Sequence, residues 1–300
     1  YFGRWDDMYV LIGTPLENYM WGYLFGQFAQ DVESCKEGKN ISLLAKWLKS
    51  VNTSSASSRE LGKMTAKNFN MSEKEYRKNL STLRLHLNLV EKNMSDRNWS
   101  EIVYGQVPSK AHTNYRNAFK RHDIGRYEQY LESVEKGEEK INSNLFPYEI
   151  FEAMGFGTTW KGQFGFSSYD KTLELQWKNL PNYVEEGSNI LVMADTSGSM
   201  MGRPINASVG LAVYFAERNT GVWANQFITF SSKPSFVELS GKTLQEKVNC
   251  VPSIVDNTDL RKAMNLILST AVRHNISQEE MPKALVIISD MEIDGGTYDS

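Results

Sequence analysis

The chain is poor in the residues that cross-link or chelate. Its 300 residues include two cysteines, Cys35 and Cys250, and four histidines. Two thiols so far apart read as isolated buried thiols rather than a disulfide framework, which favours a reducing, cytoplasmic compartment. The histidines lack Cys or His partners at zinc spacing, so no zinc site is expected. No apolar run approaches the ~18 residues that a membrane-spanning helix needs. No secretion-signal pattern opens the chain, so the Asn-x-Ser/Thr triplets, such as the one starting at Asn40, are put down to the abundance of Asn and Ser. The first residue is Tyr1, and the chain is expected to be part of a longer one. Neither sign of charge dominates: 33 Lys and Arg against 36 Asp and Glu leave −3. From Ser188 onward there are 9 basic and 12 acidic residues, so the preceding part is neutral overall. Any nucleic-acid surface there has to be a local patch.

What is present falls into two textures. Over residues 1–150 the apolar residues mostly recur at helical spacing, and an all-helical module is expected. "SLLAKWLKS" (42–50) and "YEQYLESVEKGEEKI" (127–141) fit amphipathic helices, with Ser-rich "VNTSSASSRE" between elements as a loop. "LRLHLNLVEKN" alternates like a strand, yet Leu80, Leu83, Leu87 and Val90 share a helical face, and its polar neighbours favour helix. Residues 151–187 are rich in Gly and aromatics and read either as a connecting segment or as a pair of short strands packed on the second domain. From Ser188 the pattern becomes strand, helix, strand, helix: "NILVMAD", "INASVGLAVYFAERN", "ANQFITFSS", "DLRKAMNLILSTAVRH" and "KALVIISD". Continuous apolar strands alternating with helices imply a mainly parallel sheet covered on both faces. Ligands of such sheets bind beyond the carboxyl ends of the strands.

"NILVMADTSGSMMGRP" is such an end. Asp195, Ser197 and Ser199 succeed one another at every second position on the turn after the first strand, with Gly198 supplying backbone freedom. One carboxylate and two hydroxyls are hard oxygen ligands suited to Mg²⁺ or Mn²⁺. Thr258, just before a helix, and Asp290, ending a later strand, add a hydroxyl and a second carboxylate. Two carboxylates against a doubly charged ion leave it electrophilic, able to accept an acidic group from outside.

Competing chemistries fit less well. A haloacid-dehalogenase-like phosphatase would want an aspartate where Ser197 stands. A serine hydrolase would want Gly-x-Ser-x-Gly, but residue 195 is Asp and the one later histidine, His274, lies in an expected helix. "SGKT" at 240–243 lacks the earlier glycine of a phosphate loop, Phe236 standing there. "DMEIDG" at 290–295 resembles a calcium-loop start, but a strand precedes it and Glu292 is unusual at its third position. No nucleophile–base pair is evident, so an enzyme is not expected.

A second constellation lies in "YGQVPSKAHTNYRNAFKRHDIGRY". Lys110, Arg116, Lys120, Arg121 and Arg126 face one acid, Asp123, with His112, His122, Tyr115 and Phe119 interleaved. A positive patch near aromatics suits phosphate contacts with base stacking, and a solvated helix face over core aromatics fits as well.

These motifs carry two resemblances. Asp195, Ser197, Ser199, Thr258 and Asp290, in that order, resemble the metal-ion-dependent adhesion site of the von Willebrand factor A (vWA) family. That implies a Rossmann-like vWA domain over residues 188–300, with its last part expected to be absent. "SLLAKWLKS", "STLRLHLNLVE" and "VPSKAHTNYRNAFKRHD" ahead of this site resemble the Ro autoantigen (TROVE) group, whose members join a ring of HEAT-like helical repeats to a vWA domain and bind small noncoding RNAs. A nearer likeness, on "FGRWDD", "KINSNLFPYEI", "LELQWKNL" and "ISDMEID", is to a poorly characterised related family of plants, fungi, bacteria and large viruses. The resemblance implies a non-enzymatic ribonucleoprotein scaffold. Its helices would bind small structured or single-stranded RNA through Lys110, His112, Arg116, Lys120, Arg121 and Arg126, and its metal would dock a protein partner's carboxylate. The alternative is a protein-interaction or assembly module that uses the metal site without RNA.

Overall fold

A computed structural model of the chain describes residues 3–158, 163–185, 187–231, 233–252 and 259–290. The chain divides into two compact units, Tyr1–Ile102 and Val103–Ser300.

The first unit is helical. A 3-10 stretch, Trp5–Leu11, precedes α1 (Glu17–Lys36), α2 (Leu44–Trp47), α3 (Ala56–Asn68), α4 (Glu73–His86) and α5 (Val90–Ser95). α1 buries Met20, Trp21, Leu24 and Phe28, a stripe at helical spacing. The stripe shares a core with Phe69 and with Tyr76, Leu80 and Leu83 of α4. Burying one such side chain contributes about 2 kcal/mol, so packing rather than intrinsic propensity holds these helices in place. Ser55 and Ser72 begin α3 and α4, each accepting the N–H of the residue three further on. The ambiguous leucine run is helix as far as His86, and Asn88 then turns the chain with φ of 46°.

The chain leaves α2 irregularly over 48–50, and carbonyls of the stretch 45–50 are satisfied from α4. The Arg84 guanidinium donates to the carbonyls of Ala45 (2.8 Å) and Leu48 (2.7 Å) and to the Ser50 hydroxyl (2.8 Å). The Tyr76 hydroxyl donates to the Lys49 carbonyl at 3.0 Å. Because these side chains take over the carbonyls, the expected helix over 42–50 shrinks to the single turn of α2. Gly62 of α3 lies against the same stretch: a Cβ there would meet the Ser50 carbonyl carbon and oxygen at 2.7 Å.

The second unit mixes helices and sheet. α6 (Ser109–His122), α7 (Ile124–Glu135) and α8 (Pro147–Met154) lead to β1 (Phe156–Thr158), β2 (Phe164–Phe166) and α9 (Lys171–Lys178). Then come β3 (Ile190–Asp195), α10 (Arg203–Arg218), β4 (Gln226–Phe230), β5 (Phe236–Glu238), α11 (Leu244–Val248), α12 (Leu260–Arg273) and β6 (Ala284–Ile288). β1 and β2 pair antiparallel, with Phe156 opposite Phe166. The larger sheet has the order β5-β4-β3-β6, parallel except for β5.

Strand β3 shows why this sheet is two-sided. Val192 and Ala194 belong to one core with Val209, Ala212 and Val213 of α10, while Leu191 and Met193 belong to another with Ala263 and Ile267 of α12. Alternate side chains therefore enter different cores, and the strand reads as an unbroken apolar run. The α10 core extends to Phe151 and Met154 of α8, to Phe164 and Phe166 of β2, and to Leu173 and Trp177 of α9. The described residues of 151–187 are thus part of the folded core: one helix end, two short paired strands and a further helix. α9 is tied to α6 through Gln176, whose amide donates to the Ser109 carbonyl (3.0 Å) and accepts from the Thr113 hydroxyl (3.0 Å).

This architecture is helix with a small mixed sheet. A HEAT-like ring and a Rossmann-like vWA domain are details beyond it. No helix among the described residues is long and apolar enough to cross a membrane.

Candidate cation-binding site

β3 lies between β4 and β6 and runs parallel to both, so three carboxyl ends point the same way. Asp195, the last residue of β3, is fully buried. Its Oδ1 accepts the backbone N–H of Ser197 at 2.8 Å, a turn that a short carboxylate makes with its own chain. Its Oδ2 accepts the hydroxyl of Ser289 at 2.6 Å. Ser289 comes just after the end of β6, and the register that sets Ala194 beside Ile288 carries Ser289 to Asp195. The carboxylate is therefore oriented from both sides before any ligand arrives.

Ser197 and Ser199 flank Gly198, where the short 3-10 turn Gly198–Met200 begins. The turn brings the two hydroxyl oxygens to 3.1 Å from each other. Ser199 is exposed and Ser197 half-buried, so the pair opens outward while Asp195 stays inside. Asp290 is exposed and comes directly after Ser289, at the same end of the sheet. Thr258 lies outside the described residues. Among the described residues, no group of three or more His, Cys, Asp and Glu side chains is gathered to hold a metal. An ion here would rest on two carboxylates and on hydroxyls. Ser289 was not anticipated. Its trace in the sequence is a hydroxyl immediately before the aspartate that ends "IISD".

The cations of α6 and the start of α7 are placed otherwise. Arg116 Nε and Lys120 Nζ both donate to Asp170 Oδ2 at 3.0 Å. Arg116 also donates to the carbonyl of Ala153 at 2.9 Å. The other oxygen of Asp170 accepts the N–H groups of Thr172 (2.9 Å) and Leu173 (3.2 Å), capping α9. Burial pushes the Asp170 carboxyl up, but the Lys120 bond and charge, the Arg116 charge and the Leu173 N–H together hold it below its ordinary value. Lys110 pairs with Glu149 at 2.6 Å. Arg126 pairs with Asp123 at 2.8 Å and lies over the Tyr104 ring. His112 is fully buried among Tyr104, Phe119, Tyr127 and Tyr130. Burial drives its imidazole down to about 4, the backbone of Val107 opposing only in part. Of the six residues expected to meet RNA, Arg121 is exposed, four others sit in ion pairs and His112 is core.

Comparison with known proteins places these features in a family. The family model described as a domain of unknown function (DUF2828) matches residues 40–190, half of the chain. A second domain of unknown function (DUF7788) matches residues 189–300. The chain is 30% identical over 242 residues to "Uncharacterized protein L728" of Acanthamoeba polyphaga mimivirus, covering 74% of this chain and 41% of that protein. It thus spans less than half the length of this curated relative. No solved structure matches it. These matches correct the resemblance to the vWA and Ro (TROVE) groups, since the models that match are those of two other domains. The physical reason is that a buried Asp followed by alternating serines is a local solution open to any strand end of a parallel sheet, and does not by itself carry descent. With half its length matched by the one model and the remainder of the sheet by the other, the chain belongs to the DUF2828 family and continues into a DUF7788 domain.

Proposed function

We propose that this chain is a non-enzymatic binding scaffold whose β3–β6 strand ends take up Mg²⁺ or Mn²⁺ and present it to an acidic group of a partner protein. The observation that carries the reading is the pair of hydroxyl oxygens of Ser197 and Ser199, 3.1 Å apart beside the pre-oriented, buried carboxylate of Asp195. Neighbouring ligands of an octahedral ion bound at about 2.1 Å stand about 3 Å apart, so this spacing is that of two cis ligands. Asp290 supplies the second carboxylate, and Thr258 is the further hydroxyl in the reading. Hydroxyl and carboxylate oxygens suit Mg²⁺ and Mn²⁺ better than softer metals. A partner's carboxylate would fill the coordination position that faces solvent.

RNA is left out of this reading because four of the six residues expected to meet it, Lys110, Arg116, Lys120 and Arg126, are engaged by Glu149, Asp170 and Asp123. A reducing, cytoplasmic setting is part of it, supported by two free cysteines.

The test is calorimetric titration of the chain with Mg²⁺ and Mn²⁺, followed by capture of partners from cell extract with and without chelator. Asp195→Asn should abolish metal binding, and Ser199→Ala, at an exposed position, should weaken it while the fold melts unchanged. Metal affinity indifferent to both substitutions would end the proposal. So would partner capture that is equal in chelator.

A further inference from the structure

The first unit contains a cavity that this reading does not use. It has a volume of about 600 Å³ and is walled by α4, the chain at 50–52 and Lys92 of α5. Five cationic side chains line it: Lys74, Arg77, Lys78, Arg84 and Lys92. No carboxylate and no aromatic ring does. In a chain of net charge −3 this is a concentration of one sign, not a reflection of overall basicity.

The cations differ in how they are held. Lys74, Arg77 and Lys78 recur at i, i+3 and i+4 along α4, on one face with Ser81, while Tyr76 and Leu83 turn inward. All three are exposed, and none makes an ion pair among the described residues. The neighbouring acid Glu73 leans instead toward Lys63. Arg84 is half-buried in the wall and fixed by three hydrogen bonds, all to neutral oxygens. Its charge is locked in position and matched by no carboxylate among the described residues. Lys92 alone has a carboxylate partner, Asp96. Ser50, Ser81 and Asn52 add neutral polar groups to the lining.

We propose that this cavity binds a small molecule bearing several closely spaced phosphate groups. Four cations without acidic partners, converging on one hollow, repel one another unless an anion of comparable charge joins them. Lys and Arg with hydroxyls are the donors that phosphate oxygens take, in forked or point contacts. The volume is that of a small-molecule site. The absence of aromatic side chains from the lining removes the stacking platform on which single-stranded RNA binding depends, so the phosphates and not bases are recognised. Arg84 is the anchor of the site, and Lys74, Arg77 and Lys78 close over its outer side.

Inorganic tripolyphosphate is the probe. Titrated into the whole chain at low salt, it should bind saturably and raise the melting temperature, with affinity falling as salt is added. Arg77→Glu together with Lys78→Glu should weaken binding about tenfold or more. Both positions are exposed, so the unliganded variant should melt like the parent. The charge-conserving pair Arg77→Lys with Lys78→Arg should retain binding, and Asp195→Asn should leave it untouched, which keeps this proposal separate from the cation site. No binding at low salt, or equal binding by the charge-reversed variant, overturns it. A short single-stranded RNA that binds more tightly than tripolyphosphate, and is lost in the same variant, overturns the small-molecule assignment in favour of a nucleic-acid backbone.

Discussion

α4 and α6 carry similar numbers of cations and use them in opposite ways. On α6 the charges of Arg116 and Lys120 converge on one carboxylate, Asp170, which comes 54 and 50 residues later in the chain. On α4 the charges of Lys74, Arg77 and Lys78 meet no carboxylate among the described residues and surround a hollow. Counting basic residues along the chain puts the nucleic-acid patch on α6. The structure leaves Lys74, Arg77, Lys78 and Arg84 around α4 without acidic partners among the described residues. What separates the two is the location of the acids, which depends on tertiary structure. A charge is available to a ligand only after the fold has been asked what it has already been paired with.

This contrast can be broken at several points. The largest effect belongs to Asp170→Ala, which removes the partner of two cations and the cap of α9 together. It should cost about 4 kcal/mol in chemical denaturation of the second unit. Next comes acid. The imidazole of His112 is held at about 4 in the folded chain, well below its ordinary value. The unfolded chain therefore takes up a proton that the folded one refuses. The stability associated with His112 is complete above the unfolded value near 6.5 and is lost as pH falls toward 4, about 3 kcal/mol in all. His112→Phe should flatten the stability profile across that window, and an unchanged slope would show that the ring is not buried as described.

Arg84→Met sharpens the comparison from the other side, because Arg84 is the one α4 cation with a structural task. It should cost about 2 kcal/mol by leaving the carbonyls of Ala45 and Leu48 unmet. Smallest is Arg77→Ala with Lys78→Ala, expected to stay within about 0.5 kcal/mol of the parent. A large loss there would mean that these side chains are structural after all, and that α4 resembles α6.

The elements legible in the sequence are those whose burial leaves a periodic mark. β3 and β6 are continuous apolar runs, and α10 and α12 show clear helical spacing, so their extents agree with expectation to within a few residues. β1 and β2 were one of two open readings of 151–187, because strands of three residues show no period that decides between strand and connector. α9 was hidden for a related reason: Thr172 through Trp177 are buried all round, polar residues included, so no amphipathic face is left to read. α2 is shorter than its pattern because Arg84, some forty residues away, takes the carbonyls of that stretch. At the strand-end site the order of Asp195, Ser197 and Ser199 was enough to place them on one turn. The Ser289 contact depends on the β3–β6 register, which neither strand contains by itself. The pairing of Arg116 and Lys120 with Asp170 was likewise out of reach of local pattern.

Gly62 has an effect that extends past its own helix. With only a hydrogen where other residues carry a methyl, α3 rests directly on the carbonyls of Ser50 and Lys49. The same Ser50 bears the hydroxyl that receives Arg84, and it forms part of the hollow's lining. The hollow's back wall is therefore set from behind by a missing carbon atom. A substitution two layers away from any bound anion would reshape its seat while leaving every charge in place.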